Sequence, residues 1–280
     1  MTEVPAQMSI GTASCRIFRD APSWDGRRTA AIGEFRCARA EDGTALLTRT
    51  SELLRAEGFE AVIGPMDGDT WHRYRVVLES DGSPPFALEP VSGPHDLAAF
   101  QSAGFAPISL YASARAPLAI EAGPPFAIDG VCVEAWNGVD AHALIGHLFE
   151  LSSAGFSRNA FFKPIEPSEF FKLYEPLIPA IDPRLVLFAL ESGKPVGFLF
   201  AFPNGPIARK PDAVVLKTYA SMRHGVGRLL GDAFLRTARD LGFSEMIHAL
   251  MHVDNVSRQR SALHGGTIFR RYALMGRRLP

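Results

Sequence analysis

The residues with the clearest chemical potential are Met222-Arg223-His224-Gly225-Val226-Gly227-Arg228. Two glycines flanked by arginines stand where a run of β-branched and apolar residues (211–221) gives way to a helical repeat (226–243). Glycine accepts a positive φ and lets a ligand approach the main chain closely. The first N–H groups of a helix have no internal partner and lie at the positive end of its dipole. Such a turn is an anion site, and phosphate is its usual guest. An ordinary strand-to-helix turn with two glycines has the same local signature. Two nearby side chains can move protons: Tyr219, just before the turn, and His252, at the end of the next apolar run (246–253). Tyr272, Glu134 and Glu191 are weaker choices for the same role. On a strand, His248 and His252 share a face but lie about 13 Å apart, too far to chelate one metal.

These residues need a particular set of elements around them. The pattern reads strand, glycine turn, long helix, strand, and then Asp254-Asn255-Val256-Ser257 as the cap of a further helix. This order resembles the GCN5-related N-acetyltransferase (GNAT) superfamily, with Lys194-Pro195-Val196-Gly197-Phe198 similar to its third strand. The resemblance implies that acetyl-CoA is the cosubstrate, and that residues 222–228, with Asn255 and Ser257, bind it. It also implies that the fourth and fifth strands splay apart to hold the pantetheine arm. Two positions depart from the pattern. Met222 stands where Gln or Arg is usual, and Ala262 stands where a tyrosine general acid is common. The second departure leaves proton handling to Tyr219 and His252.

The 280 residues suffice for one large or two ordinary domains, and 47% apolar with 21% charged residues is a globular balance. A net charge of −1 gives no whole-chain attraction for nucleic acid or an anionic membrane. Positions 207–280 nevertheless carry 13 Lys and Arg against 5 Asp and Glu, which suits a polyphosphate ligand. Arg270, Arg271, Arg277 and Arg278 form a basic tail that can reach a CoA phosphate or simply face water. Three widely separated cysteines suggest neither a disulfide framework nor a zinc site, so no metal is expected. The absence of a signal-like N-terminus and of a membrane-length apolar run leads to a cytoplasmic expectation.

The first half repeats the pattern. Sliding the chain by 184 positions puts Gly43 on Gly227, Gly58 on Gly242 and Phe59 on Phe243, and it puts the strand-like run 29–37 on the run that ends at Ser221. Glu41 and Asp42 then fall on Gly225 and Val226. Carboxylates repel phosphate, so the first half should not bind CoA in this way. The expected fold is α/β (α+β): two GNAT-like domains, each a mixed central sheet flanked by helices. Their expected bounds are 1–116 and 126–280, with a proline-rich linker at 117–125. Residues 86–88 read as a strand, the loop 64–75 as a distinctive polar excursion, and Phe156, Phe161 and Phe162 as either core or an acceptor wall. The function expected is acyl transfer from acetyl-CoA to an amine, on a small molecule or a peptide. Nucleic acid and membrane are not expected as partners, and homodimer formation is left open. The alternatives are a CoA-binding protein without turnover, or aminoacyl transfer from tRNA.

Overall fold

A computed structural model of the chain describes residues 6–118, 125–205 and 211–280. In order, the elements are β1 (Ala6–Ile10), β2 (Ala13–Phe18), β3 (Thr29–Arg36), α1 (Ala40–Ala56), β4 (Ala61–Gly64), β5 (Val76–Ser80), α2 (Asp96–Ser102) and β6 (Ala106–Pro117). They continue as β7 (Val131–Ala135), α3 (Ala141–Phe156), α4 (Pro167–Tyr174), β8 (Val186–Glu191), β9 (Lys194–Pro203), β10 (Ala213–Ser221), α5 (Val226–Asp240), β11 (Glu245–His252), α6 (Val256–Leu263) and β12 (Thr267–Arg278). Two compact units emerge. One holds Met1–Ala112, Ala160–Lys163 and Phe269–Pro280, and the other Ser113–Asn159 and Pro164–Ile268. Most of the 117–125 segment expected as a linker, residues 119–124, lies outside the described residues.

In the first unit, β1, β2 and β3 are antiparallel neighbours, and β3 pairs parallel with β4. The last strand of the chain, β12, pairs antiparallel with β4 and with β5, so it completes this unit's sheet. Helix α1 buries Leu46, Leu47 and Leu54 against Ile32, Val62 and Phe100. Residues 86–88 are not a strand. The Phe86 N–H donates to the Glu89 carboxylate at 3.0 Å instead of to a ladder, directly after Pro84-Pro85, which cannot donate.

In the second unit, β7, β8, β9 and β10 are antiparallel in that order, and β10 pairs parallel with β11. The β8–β9 hairpin turns through Ser192 and Gly193, both at positive φ (49° and 76°), as a tight hairpin requires. Val226, Leu230, Phe234 and Ala238 recur every fourth residue along α5 and enter the core with Leu187, Leu199, Val214 and Met246.

The 184-residue slide holds to the residue. The parallel ladder Thr29↔Ala61 to Ala31↔Ile63 in one unit maps onto Ala213↔Glu245 to Val215↔Ile247 in the other. Both long helices end in the same closing bonds: Gly58 N to Arg55 O and Phe59 N to Leu54 O, against Gly242 N to Arg239 O and Phe243 N to Ala238 O. A second correspondence, at 161 residues, maps β6 onto β12. The helix before each ends alike, with Phe105 N donating to Phe100 O and Gly266 N to Ser261 O.

Candidate active site

The second unit contains a wedge in its sheet. The parallel pairing of β10 with β11 stops at Leu216↔His248, although β10 runs on to Ser221 and β11 to His252. On its other edge, β10 shifts register against β9 between Leu216 and Thr218, a bulge that bends the strand. Beyond the last rung, Leu250 adopts φ +56° and its N–H donates to Ser113 Oγ at 3.0 Å. Past Leu216 and His248 the two strands therefore no longer spend their polar main-chain groups on each other. A chain-like polar ligand can use such groups as partners.

Helix α5 starts at the mouth of this wedge. Gly225 is its N-cap, at φ +84° and ψ −29°, and no side chain caps the helix. Among the described residues, no acceptor takes the N–H of His224, Gly225 or Gly227. A Cβ placed on Gly227 would lie 2.9 Å from Arg260 Nη1, 3.5 Å from Tyr219 Cε2 and 3.6 Å from Ser221 Oγ. A bare backbone, an aromatic ring, a hydroxyl and a guanidinium thus converge on one spot. Arg260, on α6, is half-buried, and its guanidinium forms no hydrogen bond or ion pair among the described residues. The helix dipole and this cation both favour an anion there. The sequence reading missed Arg260. The available signal was a basic residue one turn beyond the cap at Asn255.

The other expected cofactor residues play several parts. Val226 is fully buried in the core, so only its main chain faces the turn. Met222 is 57% exposed, and its N–H is tied to Val196 O at 2.9 Å. Arg223 pairs with Glu191 at 2.5 Å, which engages one proposed phosphate ligand and one proposed base with each other. Arg228 lies over the Phe126 ring at 4.3 Å, and His224 is exposed. Asn255 caps α6, its Oδ1 accepting from Val256 N at 3.1 Å, and Ser257 is half-buried in the first turn. Tyr219 belongs to the convergent group. His252 Nδ1 accepts from Asp254 N at 3.2 Å, and Ala262 is exposed. His248, at the last rung, is buried with Nδ1 2.5 Å from Ser261 Oγ. Burial, and then the nearby His264, push its imidazole down to about 4, so it is neutral at neutral pH.

The equivalent place in the first unit is closed. Where β3 and β4 part, the chain turns back over β3. Met66 N donates to Ile32 O at 2.9 Å, and Asp67 Oδ1 accepts from Glu34 N at 2.6 Å. At the start of α1, Asp42 accepts from both the N–H and the hydroxyl of Thr12, at 2.9 and 2.7 Å. The 64–75 loop is pinned within this unit too. Trp71 Nε1 donates to Lys163 O at 2.8 Å, and its ring meets Phe162 edge-on at 5.8 Å. Phe161, half-buried, packs on the buried cluster of Ala31, Ile63, Met66 and Leu274, and Phe162 packs on Trp71, so both are engaged within this unit. The C-terminal arginines are committed as well: Arg270 to buried Glu89, Arg271 to Glu79, Arg277 to Ala103 O and Arg278 to Asp25. Of the two readings of this tail, Arg278 fits the one that faces water, while Arg270 is buried with Glu89.

No family model matches the sequence, and no curated protein matches it significantly. Solved structures do match. A GCN5-related N-acetyltransferase from Sphaerobacter thermophilus aligns with a TM-score of 0.56 at 14% identity, over 95% of this chain and 76% of that one. A tandem GNAT protein from the clavulanic acid biosynthesis pathway aligns with a TM-score of 0.55 at 17% identity, over 95% and 79%. A GCN5-related N-acetyltransferase from Anabaena variabilis gives 0.51 at 10%, over 94% and 59%. The chain therefore has the GNAT fold, as two GNAT-like domains with mixed sheets. Among the described residues, no helix is long and apolar enough to cross a membrane, and no cluster of three or more His, Cys, Asp or Glu is placed to hold a metal.

Proposed function

We propose that the second unit is an acyl-CoA-dependent acyltransferase that moves an acetyl group from acetyl-CoA to an amine. One observation carries this reading: the β10–β11 wedge opens onto a glycine-lined helix mouth that Arg260 faces. The residues present fit the cosubstrate. The free N–H groups of Gly225 and Gly227, with Arg260, would hold the diphosphate, and the edges of the diverging strands β10 and β11 would flank the amide-bearing arm. A main-chain N–H in the wedge would polarise the thioester carbonyl. The amine nitrogen attacks that carbon, the C–S bond breaks, and the amine loses a proton while the thiolate gains one. Tyr219 beside the mouth is assigned to protonate the thiolate, and His252 to take the amine proton.

Titration calorimetry with acetyl-CoA tests the binding step, with an affinity expected between about 1 μM and 1 mM. No heat at millimolar ligand would sink the proposal. An exposed alanine at position 262 favours a second reading, a protein that binds CoA without turnover. Thiol release across a panel of primary amines separates the two, since release above the amine-free rate excludes the second.

A further inference from the structure

Arg75, in the first unit, is a buried cation without a counter-anion. It is only 9% exposed, and among the described residues no carboxylate pairs with it. Its guanidinium carbon lies 3.9 Å from the ring centroids of both Tyr74 and Tyr111. Those rings are 5.7 Å apart and meet at 86°, so the cation sits in a corner made by two π-faces. Nη2 donates to the Tyr74 hydroxyl, while Nε is fully buried with no acceptor. Burial pushes the Tyr74 phenol far above its usual range, so that ring supplies no tyrosinate to balance the charge. The backbone is strained at the same residue: Arg75 takes φ +90°, which bulky side chains rarely adopt, and its N–H is fixed to Pro65 O at 2.9 Å.

Cation–π contact offsets part of the cost of burying a guanidinium, but it leaves the net charge and the Nε–H donor unmet. A fixed guanidinium whose Nε–H lacks an acceptor offers a carboxylate oxygen a charge-assisted hydrogen bond. The walls of the corner are apolar. Tyr74 packs against the cluster of Ala31, Ile63, Met66 and Leu274, beside Ile108 and Trp24. A single cation with aromatic walls suits one negative charge on an apolar body better than a dianionic phosphate. We propose that Arg75 and its tyrosine corner bind a small monocarboxylate. The proposal concerns the first unit alone and does not rest on the transferase reading.

Trifluoroacetate is a suitable probe, followed by 19F NMR with the full chain at fixed ionic strength. The expected result is saturable broadening of the probe signal that acetate competes away. Arg75→Met should abolish the saturable, acetate-competed component, and Arg55→Ala, an exposed arginine in the last turn of α1, should leave it unchanged. Absence of broadening, or equal broadening with Arg75→Met, overturns the proposal. If Arg75→Met fails to fold, the wild-type chain still decides. Its Tm should rise when acetate replaces chloride at constant ionic strength, and an unchanged Tm rejects the site.

Discussion

The two units carry the same strand-turn-helix-strand frame, yet one is sealed where the other is open. In the first, β4 is four residues long and the chain then folds back so that Met66 and Asp67 bond to β3. In the second, β11 runs eight residues, continuing four past its last rung with β10. The helix starts differ in the same sense. Asp42 binds Thr12 at one, while at the other Gly225 and Gly227 leave main-chain donors bare. The two units thus share a scaffold while differing in a few positions: those at the helix start and those that let the second strand run straight or turn it back. The carboxylate of Asp42 is itself fixed at this helix start, held by the N–H and hydroxyl of Thr12.

The largest effect expected from this contrast comes from giving the open turn the character of the closed one. A Gly225→Glu, Gly227→Glu variant places carboxylates at the mouth and a side chain where Arg260 already lies 2.9 Å away. Acetyl-CoA binding should fall more than about 100-fold, because several charge-assisted bonds of about 1.5–3 kcal/mol are lost together. Calorimetry that shows unchanged affinity would break the comparison. The converse change, Asp42→Gly, should confer no second binding site, because the loop at Met66–Asp67 still fills the wedge. A stoichiometry that rises from one to two would contradict this.

Next in size is a pH effect. Position 64 of the first unit is a glycine, and its counterpart by the 184-residue slide is His248, buried against Ser261. In the unfolded chain this imidazole takes a proton near pH 6.5, whereas in the fold it does so only near 4. Between those values the unfolded state binds more protons. Stability should therefore be full above pH 6.5 and fall as the pH drops towards 4, by about 3 kcal/mol over the window. Urea unfolding at a series of pH values should show this slope in the wild type and a much smaller one in His248→Asn. Equal slopes would remove His248 as the cause.

Much of this was legible in the sequence, and the reasons differ by feature. The repeat could be read because glycine and phenylalanine at helix ends are set by local backbone needs: Gly58 and Gly242 both take positive φ. The anion turn was legible for the same reason. Strand partnership was not, because the pattern of β12 shows that it is a strand but not that its neighbours are β4 and β5. The same limit concealed the fate of the C-terminal arginines, whose acceptors lie far back in the chain, with Glu89 181 positions before Arg270. The plug at Met66–Asp67 was written in residues that look like any polar turn. Arg260 was hidden because its meaning depends on which helix face meets Gly227.

A smaller effect tests the plug. A Cβ on Gly33 would lie 2.4 Å from Met66 O, a main-chain atom that cannot step aside without moving the loop. Gly33→Ala should cost about 1–3 kcal/mol of stability, the usual range for overpacking. At the counterpart position the open unit carries a half-buried lysine, Lys217, where no returning loop demands a small residue. Lys217→Ala should cost less than Gly33→Ala in parallel urea denaturation. The reverse order would mean that the second unit's strand is as tightly covered as the first's.

The smallest effect isolates the one substitution that distinguishes the two helix contacts. In the first unit a Cβ on Gly43 would meet Ala99 Cβ at 2.8 Å, and in the second a Cβ on Gly227 would meet Arg260 Nη1 at 2.9 Å. The two glycines correspond by the 184-residue slide, and Ala99 and Arg260 by the 161-residue one. The close approach of the long helix to the short one is therefore common to both units, with an alanine replaced by an arginine. Arg260→Ala recreates the first unit's pair, so the fold should tolerate it. Arg260 is half-buried and partly screened, so the loss in acetyl-CoA affinity should be about tenfold, near 1.4 kcal/mol. Raising the salt concentration should weaken wild-type binding more than that of the variant, because the guanidinium contribution is screened. If affinity and salt dependence both match wild type while the variant remains folded, Arg260 takes no part in holding the diphosphate, and the helix mouth must act through its main-chain amides alone.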